Sequence, residues 1–265
     1  MKKLRYDLVF GLGQACSCSE TLREAGLQLL SFPYDWVTNK CLDADRSAHD
    51  IRVRVREVCD GFSTWFGKND FRFIHPLVDK RKDLFVSDRL DLVFNHDFPI
   101  GMPYDDAFEL VRARYRRRAD RLMQLIRAAG RVLVVRLDRP DQPVPTEVED
   151  CRHVRRELAR AFPNARFDLF LFSCEKGRAF ENRIEETVED GFTRVTFDYR
   201  NKEPDAQPFQ VDVFTTGALL AGRFSVRDYR TRAEKLHYAK VRLDKRLARL
   251  KTSFRRLFGK LTDRT

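Results

Sequence analysis

Two cysteines one residue apart, Cys16-Ser17-Cys18, follow the apolar run Leu8-Val9-Phe10-Gly11-Leu12-Gly13 and precede apolar residues at near-helical intervals, Leu22, Ala25, Leu29 and Leu30. A thiol placed where a strand turns into a helix meets unpaired backbone amides and the positive end of the helix dipole. Both favour the thiolate, the form that attacks carbon. Cys16 fits that place better than Cys18, which falls farther into the helix and reads as packing. A nucleophilic thiol needs a base, and His96 in Asn95-His96-Asp97 is the candidate. A carboxylate on the far ring nitrogen would fix its tautomer, and Asp138, Asp97 and Asp35 are all open for that part. Gln14, Asp35, Trp36, Asn95, Asp97 and Arg136 are candidates to bind substrate; for Arg136, at a strand end, an anionic group is the natural ligand and a structural role the equal alternative.

Inert explanations stand beside these. Pro33-Tyr34-Asp35-Trp36 suits a tight turn in which Asp35 bonds turn amides and Trp36 plugs the edge of the core. Gly11 and Gly13 are explained by the turn itself, and no phosphate loop of the GxxxxGK[ST] type follows. Zinc is disfavoured because no Cys-x2-Cys pair and no second ligand pair is present, so neither metal nor cofactor is expected. Cys41, Cys59, Cys151 and Cys174 read as small buried hydrophobes, too irregularly spaced for a disulfide framework.

These residues need a framework. The pattern predicts a strand over 7–13, a helix over 19–30, a one-sided helix over 48–66 and short strands over 71–74 and 84–86. A strand over 90–95 follows, then a long basic helix from Asp105 or Asp106 to Ala129, ended by Gly130. Beyond it come a strand over 132–137, a helix over 146–162, a strand over 167–173, a short helix over 184–190 and a strand over 192–197. Strands alternating with helices predict an α/β domain over residues 1–229, three layers thick, with a mostly parallel sheet and helices on both faces. Ligands gather at the carboxyl ends of such strands, where Cys16, the Asn95–Asp97 segment, Arg136 and Asp138 would meet.

Composition narrows the classes. With 265 residues, 43% of them apolar and 22 Phe, the chain can bury a sizeable core. No segment resembles a secretory leader or an apolar membrane span, so a cytoplasmic location is expected. The net charge of +11 is concentrated: from residue 230 onward there are 13 Lys/Arg against three acidic residues, which leaves 38 basic and 37 acidic residues before it. There Leu236, Leu243, Leu247, Leu250, Phe254, Leu257 and Leu261 recur at steps of three, four and seven among cations. Residues 230–265 therefore predict a cationic amphipathic helix. It suits an anionic membrane surface at the inner face of the membrane, an acidic partner, or packing on itself. Nucleic acid ranks below membrane, because aromatic interleaving is absent and the body is neutral. No oligomeric state is legible.

Finally, LGQAC (12–16), LREAGL (22–27), SFPYDW (31–36) and FNHDF (94–98), followed by YRRRADRL and RVLVVR, resemble a bacterial family of unknown function classed with papain-like cysteine peptidases. That family shows LGxxC, LRxxGL, SxPFDW and an aromatic-x-HDF segment in this order. The resemblance covers about residues 7–137. It implies that Cys16 is the family cysteine, His96 its histidine and Asp35-Trp36 its Asp-Trp pair, and that a peptide-like substrate is cleaved. Three functions follow from these readings. The first is a thiol-dependent hydrolase or transferase acting on an acyl or amide substrate. The second is an enzyme of surface-polysaccharide assembly that holds a nucleotide-sugar or phosphosugar through Arg136, His96 and the glycine turn. The third is an interaction protein working through its basic tail.

Overall fold

Runs of Val, Leu and Phe build two distinct sheets. In the computed structural model, residues 3–39, 50–141, 146–175, 185–189 and 191–240 are described. The first sheet has the order β2-β7-β8-β10-β9, from β2 (Leu8–Gly11), β7 (Arg131–Leu137), β8 (Arg166–Ser173), β10 (Phe192–Thr196) and β9 (Glu185–Glu189). All neighbours are parallel except β9, which runs antiparallel to β10. β1 (Leu4–Tyr6) lies immediately before β2 and pairs in parallel with β11 (Phe224–Val226). Val132, Val134, Val135 and Leu137 are fully buried, as expected of a strand covered on both faces.

Helices α1 (Cys16–Glu24) and α5 (Val213–Arg223) pack on each other, and their Cys18, Leu22 and Leu220 join Val9, Leu133, Val135, Phe170, Phe172 and Val195 in one apolar cluster. Side chains alternate along a strand, so Leu8, Phe10, Val132 and Val134 point to the opposite face. Helix α4 (Val148–Ala161) buries Cys151, Val154 and Leu158, packing on β8 and on α2 (Asp50–Cys59). The turn before α1 is unusually close: a Cβ on Gly13 would lie 2.2 Å from Cys18 Cβ and 3.3 Å from the Leu137 carbonyl. Gly13→Ala is expected to cost about 1–3 kcal/mol by overpacking, read as a lowered denaturation midpoint, whereas Gly222→Ala, with open space around it, gives no such loss.

The second sheet is antiparallel, of order β3-β6-β5-β4, and comprises β3 (Val37–Asn39), β6 (Leu92–Pro99), β5 (Lys82–Ser87) and β4 (Phe71–Leu77). Helix α3 (Tyr104–Ala128) packs on β6. Between them Trp65, Phe66, Phe71, Phe94, Phe108 and Tyr115 form a lattice of edge-on and tilted aromatic contacts, with Phe66 stacked on Phe71, centroids 5.1–6.4 Å apart.

The α/β class and the mostly parallel first sheet agree with the sequence pattern; several details differ, among them the helices expected over 19–30 and 48–66, which run only over Cys16–Glu24 and Asp50–Cys59. The antiparallel second sheet is an addition to the expected parallel one. Of the residues expected as a short helix over 184–190, Glu185–Glu189 form strand β9, because Thr187 and Val188 are β-branched and Gly191, at φ +70°, lies just before β10. The strand expected over 90–95 continues through His96 and Asp97 to Pro99, so these residues lie within an antiparallel strand and not beyond the end of a parallel one.

The chain divides into two compact units, Met1–Arg227 and Asp228–Thr265. In the second, residues 232–240 are helical. Thr231 and Glu234 cap that helix reciprocally, the Thr231 amide donating to Glu234 Oε2 and the Glu234 amide to Thr231 Oγ1. The remainder of the expected amphipathic helix, 241–265, lies outside the described residues. Among the described residues no helix is long and apolar enough to cross a membrane.

Candidate functional site

Cys16 is the first residue of α1 and half-exposed. The preceding Ala15 gives the helix no side-chain cap, and its first turn holds no acidic residue, so the Cys16 and Ser17 amides are left to the thiol itself. They do not make it a thiolate. Burial pushes the Cys16 thiol up to about 11; Glu20, one turn along, adds to the rise, and Lys80 and the two amides offset only part of it. Cys18 is buried and donates to the Val135 carbonyl, a packing role. Beside Cys16, Ser17 is 7% exposed and its Oγ has no hydrogen-bond partner among the described residues.

His96 owes its position to a bulge. Asp83 pairs with Phe98 and Phe85 with Phe94, so Leu84 of β5 faces three residues of β6: Asn95, His96 and Asp97. Bulges re-aim side chains. The His96 ring meets Trp36 edge-on at 6.0 Å, and the Arg23 guanidinium covers Trp36 at 5.3 Å. Burial pushes the His96 pKa down, Lys80 and Lys82 push it further, and Asp97 only partly opposes them. The imidazole is neutral near pH 7. No hydrogen bond joins it to Cys16, yet the Lys80 ammonium acts on both groups.

None of the three candidate carboxylates orients the imidazole through a hydrogen bond. Asp97 points to the other side of the strand, accepting from Tyr115 Oη at 2.7 Å and Arg114 Nη1 at 3.1 Å. It anchors the bulge to α3. Tyr115→Phe is expected to cost about 1–3 kcal/mol by leaving Asp97 Oδ2 without its donor, with Arg114 still on Oδ1. Its specific signature is a displaced His96 ring resonance in an NMR titration; an unshifted ring would separate the anchor from the bulge. Asp35 lies in the one-turn helix Pro33–Trp36, where its Oδ2 accepts from the Phe32 amide at 2.7 Å and from Gln28 Nε2, with Arg23 at 3.6 Å. Burial pushes its carboxyl up to about 6 against those contacts. This is the capped turn anticipated for Pro33–Trp36.

Asp138 and Arg136 belong to a buried ionic network. Arg136, 0% exposed, donates through Nε to Asp138 at 3.0 Å and Thr146 at 3.1 Å, through Nη1 to the Leu12 carbonyl at 2.8 Å, and through Nη1 and Nη2 to Asp50 at 3.1 and 2.5 Å. Arg54 joins Asp50 at 3.1 Å, the Gly13 carbonyl at 2.5 Å, and Asn39. Burial works against the Asp50 carboxylate, but Arg136 and Arg54 outweigh it and hold its pKa below the usual range. Arg136 therefore has no face to offer a substrate, and Asp138, pinned by Thr146 Oγ1 at 2.5 Å and the Thr146 amide at 2.8 Å, has none to offer His96. Arg136 thus takes the structural one of its two alternatives, and Asp138 gives up the expected bond to the imidazole: the network ties the ends of β2 and β7 to α2 and so fixes the turn that presents Cys16. Gln14 is also spent on structure, its Oε1 accepting the Arg139 amide at 2.8 Å. The Asn95 Oδ1 is buried in the bulge without a partner among the described residues.

The structure thus gathers Trp36, His96 and Arg23 into one cluster and joins Cys16 to it by no hydrogen bond or ring contact, while Gln14, Asp35, Asp97, Arg136 and Asp138 are held in structural contacts. Lys80, Asp50 and Arg54 were not expected. Asp50 and Arg54 carry a faint signal, an Asp/Arg pair at i,i+4 in a helix whose Ile51, Val55 and Val58 face the core; Lys80 carries none. The chain matches no protein-family model, no curated protein and no solved structure.

Proposed function

We propose that the protein is a thiol-dependent hydrolase or transferase acting on acyl or amide substrates, a three-layer α/β framework carrying Cys16 as nucleophile and His96 as base. The carrying observation is the β6 bulge, which turns His96 toward Trp36 while Cys16 opens the uncapped turn of α1. The resemblance to papain-like peptidases points the same way.

A neutral thiol and a neutral imidazole suit general-base attack better than a standing ion pair. As Cys16 Sγ bonds to the acyl carbon, its proton passes to His96. The bond to the leaving group breaks with its electron pair, and the imidazolium returns the proton to that group. Water, deprotonated by the same imidazole, then releases the acyl group from sulfur. Hydrogen bonds of this kind commonly tighten only once substrate is in place.

The test is acyl transfer from p-nitrophenyl acetate, followed by mass spectrometry of the intact and digested protein. Acetylation is expected on Cys16 ahead of Cys59 and Cys174, the other half-exposed thiols among the described residues, and to slow sharply in His96→Ala. Equal acetylation of all three thiols, or indifference to His96, would refute the reading.

A further inference from the structure

Resting on that reading, we infer that the site selects an acyl donor bearing a negative charge close to its reacting carbonyl, with Lys80 and Lys82 holding the anion beside Cys16 and His96. Lys80 ends the one-turn helix Val78–Lys80 at the tip of the β4–β5 hairpin, and Arg81 behind it takes the left-handed conformation, φ 51°, that turns the chain into β5. Lys82 opens β5 opposite Pro99, three residues beyond His96 on the neighbouring strand. The tip is held in place: the Ile100 amide donates to the Arg81 carbonyl at 3.3 Å, so the end of the bulged strand and the lysine-bearing turn move together.

Three observations point to an anion here. Among the described residues neither lysine has a carboxylate partner, in a protein where most arginines around the core are paired. The first turn of α1 is uncapped and free of acidic side chains, so its amides add to the positive field. Within that turn, Ser17 Oγ is a buried hydroxyl without a partner, a donor in reserve for an oxygen of the substrate. The opposing charges are Glu20, exposed one turn along α1, Asp97 beside His96, and Asp79 and Asp83, the chain neighbours of the two lysines, while Asp35 is turned inward to Gln28 and Phe32. Arg23 adds a third cation over Trp36.

The test compares two activated esters with the same leaving group, neutral p-nitrophenyl acetate and anionic mono-p-nitrophenyl succinate, on the full chain. In each, sulfur–acyl bond formation expels p-nitrophenolate and the thiol proton goes to His96. The succinyl ester is expected to acylate Cys16 at least about tenfold faster at low salt, with the advantage shrinking as ionic strength rises. Lys80→Ala, and more fully Lys80→Ala with Lys82→Ala, should bring the two esters to the same rate. Equal rates for the two esters in the wild-type protein, or a preference that survives the double substitution, would overturn the assignment. Failure of the underlying thiol reading looks different, since neither ester would then depend on His96. Lys80→Glu provides the converse, a preference for the neutral ester.

Discussion

Asp50→Ala is expected to destabilise the fold by about 3–5 kcal/mol, because it leaves the Arg136 and Arg54 guanidiniums buried without their shared carboxylate. Removing one partner of a desolvated pair costs far more than removing both. The double change Asp50→Leu with Arg136→Met is accordingly expected to fall well short of the sum of the single losses in urea or guanidinium titrations. Additive losses would mean that the two groups act independently. The substitution should also disturb the site, since Arg136 and Arg54 hold the Leu12 and Gly13 carbonyls four and three residues before Cys16. Acylation of Cys16 should therefore slow even at temperatures where the variant is fully folded.

The second large effect separates two kinds of cysteine chemistry at the same atom. With the thiol pushed up to about 11, alkylation of Cys16 by iodoacetamide should be slow at pH 7, climb about tenfold per pH unit and level off only near pH 11, because deprotonation alone supplies the reactive form. Glu20→Gln should move this profile to lower pH by removing the carboxylate that opposes the thiolate. His96→Ala should leave alkylation nearly unchanged, since no standing ion pair is lost, yet reduce acyl transfer by about 10²–10⁴, the usual range for a general base. A flat alkylation rate from pH 6 to 9, falling in His96→Ala, would instead reveal a preformed thiolate–imidazolium pair.

How much of this was legible in the sequence depends on whether neighbours along the chain or neighbours in space decide a residue's part. The apolar runs Val132–Val135 of β7 and Leu169–Phe172 of β8 and the inner face of α3 were legible, because burial on both faces or on one helical stripe writes its own period. The bulge in β6 was not: Asn95, His96 and Asp97 interrupt the alternation, and only the register with β5 shows the strand continuing. β9 escaped because its three glutamates dilute a strand pattern. The place of Cys16 at a strand-to-helix turn was legible, though the helix opens at Cys16 and not at Ser19; its neutral thiol was not, as burial and Glu20 act through three dimensions. Arg136 carried a clue in its own surroundings: an arginine within Arg131–Leu137, otherwise fully apolar after its first residue, needs buried partners more than it needs a ligand. Asp50 and Arg54, set among exposed charges, resembled a solvated helix face.

The pairing of β1 with β11 has a consequence for the order of assembly. The edge beside Leu4–Tyr6 is closed by Phe224–Val226, the last strand of the first unit, so a chain emerging from the ribosome exposes that edge until nearly all of the unit has been made. Tyr6 stacks edge-on against Phe224 at 5.7 Å, and in the unfinished chain it has no such cover. Contacts this distant in sequence form late and slow the final step, and an uncovered strand edge invites pairing with other chains in the meantime. Synthesis of this protein should therefore pass through a period of aggregation risk that ends only when Phe224–Val226 arrives.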